Sequence, residues 1–440
     1  MTDQTILGQA TNRGVSMKPM ARARAILGGS AGNLVEWYDW FAYASFSLYF
    51  AKVFFPQGDQ TAQLLQTAAI FAVGFLARPV GAWIFGLYAD RAGRKAALIL
   101  SVALMCLGSL MVAVVPGYDR IGAAAPVILT LARLIQGLSV GGEYGASATY
   151  MSEVAGKKRR GFWSSFQFVT LIGGQLSALG VLIVLQHLLT PAQLGAWGWR
   201  IPFVIGAALA VVVFAIQMGL DESASFEAAH QTSGDRSTTL GLFLNHPRET
   251  AVIFVLTSGG SLAFYCYTTY MQKFLTNSGH FSKDAATMVT AGSLVVYLLI
   301  QPLLGWIGDH VGRTRLMAVG FALGALTVWP IMTAIAATSS APMALALICI
   351  ALVFLTGYTA VNAVVKAELF PTRVRALGVA LPYALANAVF GGTAEYVALA
   401  FKQAGRESGF FIYVAVIMGA AAITAALMGD PRGLGLIEDD

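Results

Sequence analysis

Charge is scarce in this sequence. Asp, Glu, Lys and Arg make up 11% of its 440 residues, where an ordinary soluble domain carries roughly 25%. A water-exposed globule of that composition would be insoluble, so soluble enzymes and soluble binding modules are excluded, as are collagen, disordered and disulfide-scaffold chains. Cysteine is rare too: Cys106, Cys266 and Cys349 fall in apolar runs without CxxC or Cys/His spacing. Neither a disulfide framework nor a zinc site is supported. The five histidines show no metal spacing, and no nucleophile-and-base set supports a membrane enzyme. The net charge of +6 has no polar domain on which to gather, which excludes nucleic acid as a partner. Gly141-Gly142 and Gly173-Gly174 lack the strand and lysine of a phosphate loop and read as close helix packing.

Apolar residues, by contrast, make up 57% of the chain. At about 20 residues per crossing, this gives twelve membrane spans. Runs broken by Gly, Pro and charge fall near 26–50, 65–88, 96–116, 126–150, 163–187 and 199–219, then near 249–272, 284–306, 316–338, 343–366, 377–401 and 408–428. The chain divides into an N-terminal tail (1–25), a six-helix bundle (26–219), a polar linker (220–248), a second six-helix bundle (249–428) and a C-terminal tail (429–440). The basic N-terminal segment has no small-residue cleavage site behind a short apolar core, so it reads as a tail and not a signal peptide. Most of the 28 Lys and Arg residues fall in loops and tails on the side of the N-terminus. Both termini and the linker are therefore expected in the cytoplasm.

The halves echo one another. Gly86, Asp90, Gly93 and Arg94, in a loop that also holds Arg91, are matched at a constant offset by Gly305, Asp309, Gly312 and Arg313. Glu153 and Arg160 are matched in the same way by Glu368 and Arg375. Two echoes in register point to parallel six-span repeats, the plan of a large transporter class that holds substrate between its halves.

The GxxxDxxGR loops and the Arg133-x-x-Gln136-Gly137 element resemble the major facilitator superfamily over the whole chain. Gly32 to Asp39, Arg78-Pro79, Gly141-Gly142-Glu143-Tyr144 and Trp197-Gly198-Trp199-Arg200 are similar to its metabolite:proton symporter branch. The stretches Gln167 to Gln175, Thr268 to Lys273 and Gly391 to Val397 are most similar to branch members that carry 2-oxoglutarate (α-ketoglutarate). The resemblance implies an all-α, twelve-helix membrane protein of the bacterial inner membrane, a monomer without cofactor or metal. It further implies alternating-access import of 2-oxoglutarate, a dicarboxylate, with protons. Citrate, shikimate and proline or betaine are the alternative substrates.

Charged side chains inside a span cost about 2.5–3.5 kcal/mol each even on gentle scales, so each is a functional candidate. In the first span Asn33, Glu36, Trp40, Tyr43 and Ser47 share a helical face, with Asp39 at its edge. Leaving a carboxylate charged at that depth is expensive, which makes Glu36 and Asp39 candidate proton carriers, with Glu143 next in line. Permanent pairing with Arg78 or Arg133 is the competing role. In the fourth span Arg133, Gln136, Glu143 and Tyr144 lie within a third of the circumference. The planar fork of Arg133 suits a carboxylate, and Arg78 offers a second cation for a dianion; either arginine is equally suited to a fixed ion pair. The remaining substrate candidates are Gln167, Gln175, Tyr297 and Lys366, the last also placed to snorkel. Glu395 stands open among gate, proton site and packing partner. The Gly86 to Lys95 loop, with Glu153, Arg160, Asp309, Arg313, Glu368 and Arg375, reads as a gating set: an Asp facing a helix N-terminus, and arginines paired with acids at span ends.

Overall fold

The computed structural model describes residues 19–92, 94–140, 159–218, 245–371 and 374–430. Among the described residues twelve long helical segments form the frame. They are α1 (Pro19–Phe54), α2 (Gln60–Ala92), α3 (Arg94–Val114), α4 (Ala124–Val140), α5 (Arg160–Leu188) and α6 (Ile201–Met218) in the first half. The second half holds α7 (Pro247–Asn277), α8 (Lys283–Val311), α9 (Arg313–Ala337), α10 (Ala341–Glu368), α11 (Leu377–Gln403) and α12 (Glu407–Leu427). Among the described residues there is no strand.

The helices outrun the apolar runs because a backbone ladder continues through polar residues. Thus α1 begins at Pro19, inside the segment expected as a tail. Ends are set by local chemistry. Ser282 caps α8 by accepting from the Ala285 amide, Ser340 caps α10 by accepting from Met343, and Gly312, at φ 112°, makes the reversal from α8 into α9. Large apolar side chains face outward, among them Trp83 at 63% and Leu326 at 76% exposure. A lipid surround satisfies them and water would not.

In the first half α1 packs on α5, α2 on α4, and α3 on α6. In the second, α9 lies against α10 and α12, and α8 against α10. The halves meet along α5 with α8 and along α2 with α11. Two glycines let α2 touch α4: a Cβ added at Gly137 would stand 2.0 Å from the Gly74 carbonyl oxygen. That contact brings the arginines of the two helices side by side.

Several inner helices are interrupted. π-helical turns at Cys266–Tyr270 in α7 and Asn387–Gly391 in α11 each insert an extra residue, and α10 breaks just before Asn362. Such turns are frequent at functional sites. The linker residues 219–244, and the stretch 141–158 with Glu143, Tyr144 and Glu153, lie outside the described residues, as does Gly93. The side chains of Asp90, Arg91 and Arg94, and the surroundings of Gly86, also lie outside them.

Candidate functional site

The centre of the first half is an aromatic box around two arginines. The guanidinium carbon of Arg78 stands 3.7 Å from the Phe75 ring centroid, 4.1 Å from Trp40 and 5.1 Å from Trp37. That of Arg133 stands 3.9 Å from Trp40 and 4.5 Å from Tyr43. One indole therefore contacts both cations, and the aromatic faces supply part of the stabilisation that water would give them. Both arginines are buried, at 5% and 0% exposure. The Nε and Nη2 groups of each donate to nothing among the described residues. Buried donors are nearly always satisfied, so four such groups around one indole are prepared to receive acceptors.

Asp39 supplies the local counter-charge. Its Oδ2 lies 3.6 Å from Arg133 Nη1 and accepts from Gln136 Nε2 at 2.6 Å, while its Oδ1 accepts from Ser109 Oγ at 2.5 Å. Gln136 in turn accepts from Arg133 Nη1 at 2.7 Å. The carboxylate is thus held by hydrogen bonds and attracted to Arg133 without a direct short contact. Glu36, one turn earlier, is buried and is an electrostatic neighbour of Arg78, as are Tyr265 and Tyr383 of the second half.

The other candidates line the same interior. Gln167 and Gln175, two turns apart on α5, are buried, and the Oε1 of each lacks a partner among the described residues. Tyr297 donates to Thr359 Oγ1 at 3.0 Å, and Gln301 donates to the same hydroxyl at 2.9 Å. Lys366 does not snorkel: it is fully buried, donates to the Tyr358 hydroxyl at 3.0 Å, and lies 4.7 Å from the Tyr383 ring centroid. The break in α10 turns it inward. Tyr383 therefore stands next to both Lys366 and Arg78.

The gating candidates of the second half meet at the end of the bundle that carries the α2–α3 and α8–α9 turns, here the motif end. Asp309 accepts from the amides of Gly161 and Phe162, at 2.9 and 3.1 Å, in the first turn of α5. Free amides and the helix dipole favour an anion there. Arg313 holds the same carboxylate through Nη2 at 2.7 Å and also pairs with Glu368. Arg160 is an electrostatic neighbour of Glu368. Gly161 and Gly305 make the approach of the halves possible, since a Cβ on either would meet the other's carbonyl oxygen at 2.6 Å. Arg375 donates to the carbonyls of Ala367 and Phe370, closing the end of α10. The opposite end is joined by hydrogen bonds to hydroxyl and carbonyl oxygens. Gln186 donates to Tyr49 and Thr287, and Gln272 also donates to Thr287, while Lys283 reaches the Leu48 carbonyl.

Asp309→Asn should leave the fold intact, because an amide oxygen still accepts from α5, but it weakens the grip on Arg313. Turnover is expected to change severalfold while substrate affinity changes less than twofold. Equal rates of exchange and net transport in variant and parent would sink this expectation.

The sequence reading did not single out Ser109, Tyr383 or Lys273 as site residues. Lys273 left a signal, a lysine inside an apolar span; Ser109 left none. Among the described residues no cluster of three or more His, Cys, Asp or Glu is placed to hold a metal.

Two six-helix halves around a buried, doubly cationic centre, with contacts between them at both ends, define a membrane transporter of the alternating-access kind. The signature of the "Sugar (and other) transporter" family matches residues 25–241 and again 224–429. The chain belongs to that family, within the major facilitator superfamily. It is 49% identical over 436 residues to the alpha-ketoglutarate permease of Escherichia coli, covering 99% of this chain and 100% of that one. It is 32% identical over 413 residues to the citrate-proton symporter of Klebsiella pneumoniae, covering 91% of each. Its fold superposes on a D-xylose-proton symporter with a TM-score of 0.73 at 19% identity, covering 93% of this chain and 99% of that structure.

Proposed function

We propose that this chain imports 2-oxoglutarate together with protons. The observation that carries the reading is the arginine pair: two buried guanidinium groups on one indole, each with unpartnered N–H groups. A dicarboxylate supplies the acceptors, one carboxylate for each fork. The same geometry speaks against a betaine. A quaternary ammonium needs open aromatic faces, and here Arg78 stands over Trp37, Trp40 and Phe75. The 49% identity to a protein named alpha-ketoglutarate permease supports the same substrate.

Coupling follows from Asp39. While charged, it competes with substrate for Arg133; a proton on it leaves the guanidinium for a substrate carboxylate. Glu36, an electrostatic neighbour of Arg78, is the alternative carrier of the same proton. Charge balance demands some such device. Moving a dianion inward against 100 mV, inside negative, costs about 4.6 kcal/mol, and two protons cancel that cost. Gln136 positions Asp39 and Arg133, and Gln167, Gln175, Tyr297 and Lys366 line the substrate's path. Glu143 and Tyr144 belong to the same stripe of the fourth span by sequence. The two bundles, 26–219 and 249–428, rock about the site. The Asp309–Arg313–Glu368 cluster latches the motif end, and its repeat around Gly86, Asp90, Arg91, Gly93, Arg94 and Glu153 completes the latch. The protein acts as a monomer in the bacterial inner membrane, with the motif end, both termini and the linker in the cytoplasm.

The test is uptake of labelled acids into proteoliposomes under an imposed pH gradient. 2-Oxoglutarate should accumulate at least tenfold faster than citrate, shikimate or proline, and collapse of the gradient should stop it. Preference for another acid, or accumulation indifferent to pH, would overturn the reading.

A further inference from the structure

The second half holds a buried ion pair that the reading above does not use. Lys273 Nζ on α7 lies 2.7 Å from Glu395 Oε2 on α11, with side-chain exposures of 0% and 4%. Burying two charges is expensive for a fold, and a well-packed apolar pair would join the helices as well. Both residues stand just beyond the π turns. Lys273 is on the outer segment Met271–Asn277 that follows Cys266–Tyr270, and Glu395 is on Ala394–Gln403 that follows Asn387–Gly391.

The pair communicates in two directions. Inward, Tyr43 of α1 is an electrostatic neighbour of both Glu395 and Arg133, and its ring is part of the arginine box. Outward, Tyr270 is an electrostatic neighbour of both Glu395 and Glu407, and its hydroxyl donates to Glu407 Oε1 at 3.3 Å. Glu407 is 25% exposed and also receives Ser278 and Lys402. The titratable and charged groups facing Glu395 are thus Lys273 and Tyr270 on α7 and Tyr43 on α1, with Lys402 and Glu407 beyond Tyr270. Helix α2, which also packs on α11, carries no ionisable side chain between Gln60 and Ala77.

We propose that Glu395 is a second proton site, and that its protonation releases Lys273 to join Arg133 on the substrate carboxylate held there. The proposal rests on the symport reading above and assigns one proton to each half, Asp39 in the first and Glu395 in the second. The step balances in charge. A proton arriving by way of Glu407 and Tyr270 neutralises the Glu395 carboxylate, the ammonium of Lys273 keeps its own protons, and a substrate carboxylate replaces Glu395 beside it. On release the substrate leaves, Glu395 gives up the proton, and the ion pair re-forms. A compact ammonium on a flexible stem suits such partner exchange better than a rigid guanidinium.

The experiment counts protons. Purified protein in weakly buffered detergent with a pH-indicating dye should take up two protons per 2-oxoglutarate bound, and Glu395→Gln should take up one. In proteoliposomes, inside-negative potential should leave the parent's uptake unchanged and slow that of the variant severalfold. Two protons in Glu395→Gln, or uptake still indifferent to potential, would overturn the proposal. If Glu395→Gln does not fold, the double variant Lys273→Gln with Glu395→Gln removes both charges together. One proton is expected there also, and two would again overturn it. A parent that binds 2-oxoglutarate without taking up any proton would overturn the symport reading itself, and this proposal with it.

Discussion

Arg133→Lys is expected to lower kcat/KM for 2-oxoglutarate uptake about a hundredfold while the protein still inserts and folds. The lysine keeps a cation beside Asp39, so no buried charge is left without its counter-charge. What it lacks is the fork. Arg133 holds Gln136 through Nη1 and keeps Nε and Nη2 for another acceptor, two functions that a single ammonium cannot perform in fixed directions. Loss of a buried, charge-assisted contact to a carboxylate costs about 3 kcal/mol, within the range for such pairs, and every 1.4 kcal/mol is about tenfold. The flat guanidinium also loses its place on Trp40, 3.9 Å away. Initial rates in proteoliposomes, with a melting curve for each variant, check this. Uptake within threefold of the parent would return Arg133 to a purely structural role.

Asp39→Asn is expected to abolish accumulation driven by a pH gradient while still allowing exchange of internal for external substrate. The amide oxygen can accept from Gln136 Nε2 in place of the carboxylate and the amide nitrogen can donate to Ser109 Oγ, so Gln136 keeps its bond to Arg133. The cycle does not survive, because a carrier must gain a proton on one side and lose it on the other. The magnitude follows from the driving forces. With two protons the dianion moves without net charge, and one pH unit supplies about 1.4 kcal/mol per proton, or roughly hundredfold accumulation. With one proton lost, a net negative charge climbs 100 mV at about 2.3 kcal/mol, more than the remaining proton supplies, and the gradient no longer concentrates substrate. Counterflow and gradient-driven uptake measured on the same vesicles separate the two functions. Full gradient-driven accumulation by Asp39→Asn would send the search to Glu36.

Much of this was legible in sequence because lipid imposes simple rules. Apolar runs of span length fixed the helices, since no other backbone arrangement of such residues satisfies itself in a bilayer. The buried positions of Arg78, Arg133, Glu36 and Asp39 follow from the same cost of charge in a span. What stayed hidden depends on distance in the chain or on backbone irregularity. The partner of Lys273 lies 122 residues away, and neither residue announces the other. Lys366 looked like a snorkelling side chain because periodicity assumes an unbroken helix, whereas α10 breaks before Asn362 and turns the lysine inward. The π turns have no composition signature at all. Asp309 was read as an acid facing a helix N-terminus, but its contact with the first turn of α5 in the other half is a matter of tertiary fit.

The aromatic box has a consequence for kinetics. A carrier that can cross the membrane only when loaded is an exchanger; net uptake requires that the empty protein also reorient. Two bare guanidinium groups in a dry centre would repel each other and draw in water, and a flooded centre resists closing. Trp40, Trp37, Phe75 and Tyr43 lie against these cations, so with Asp39 beside Arg133 the centre can close without a substrate carboxylate. An indole shared by both cations thus favours return of the empty carrier, the step that net uptake needs and exchange does not.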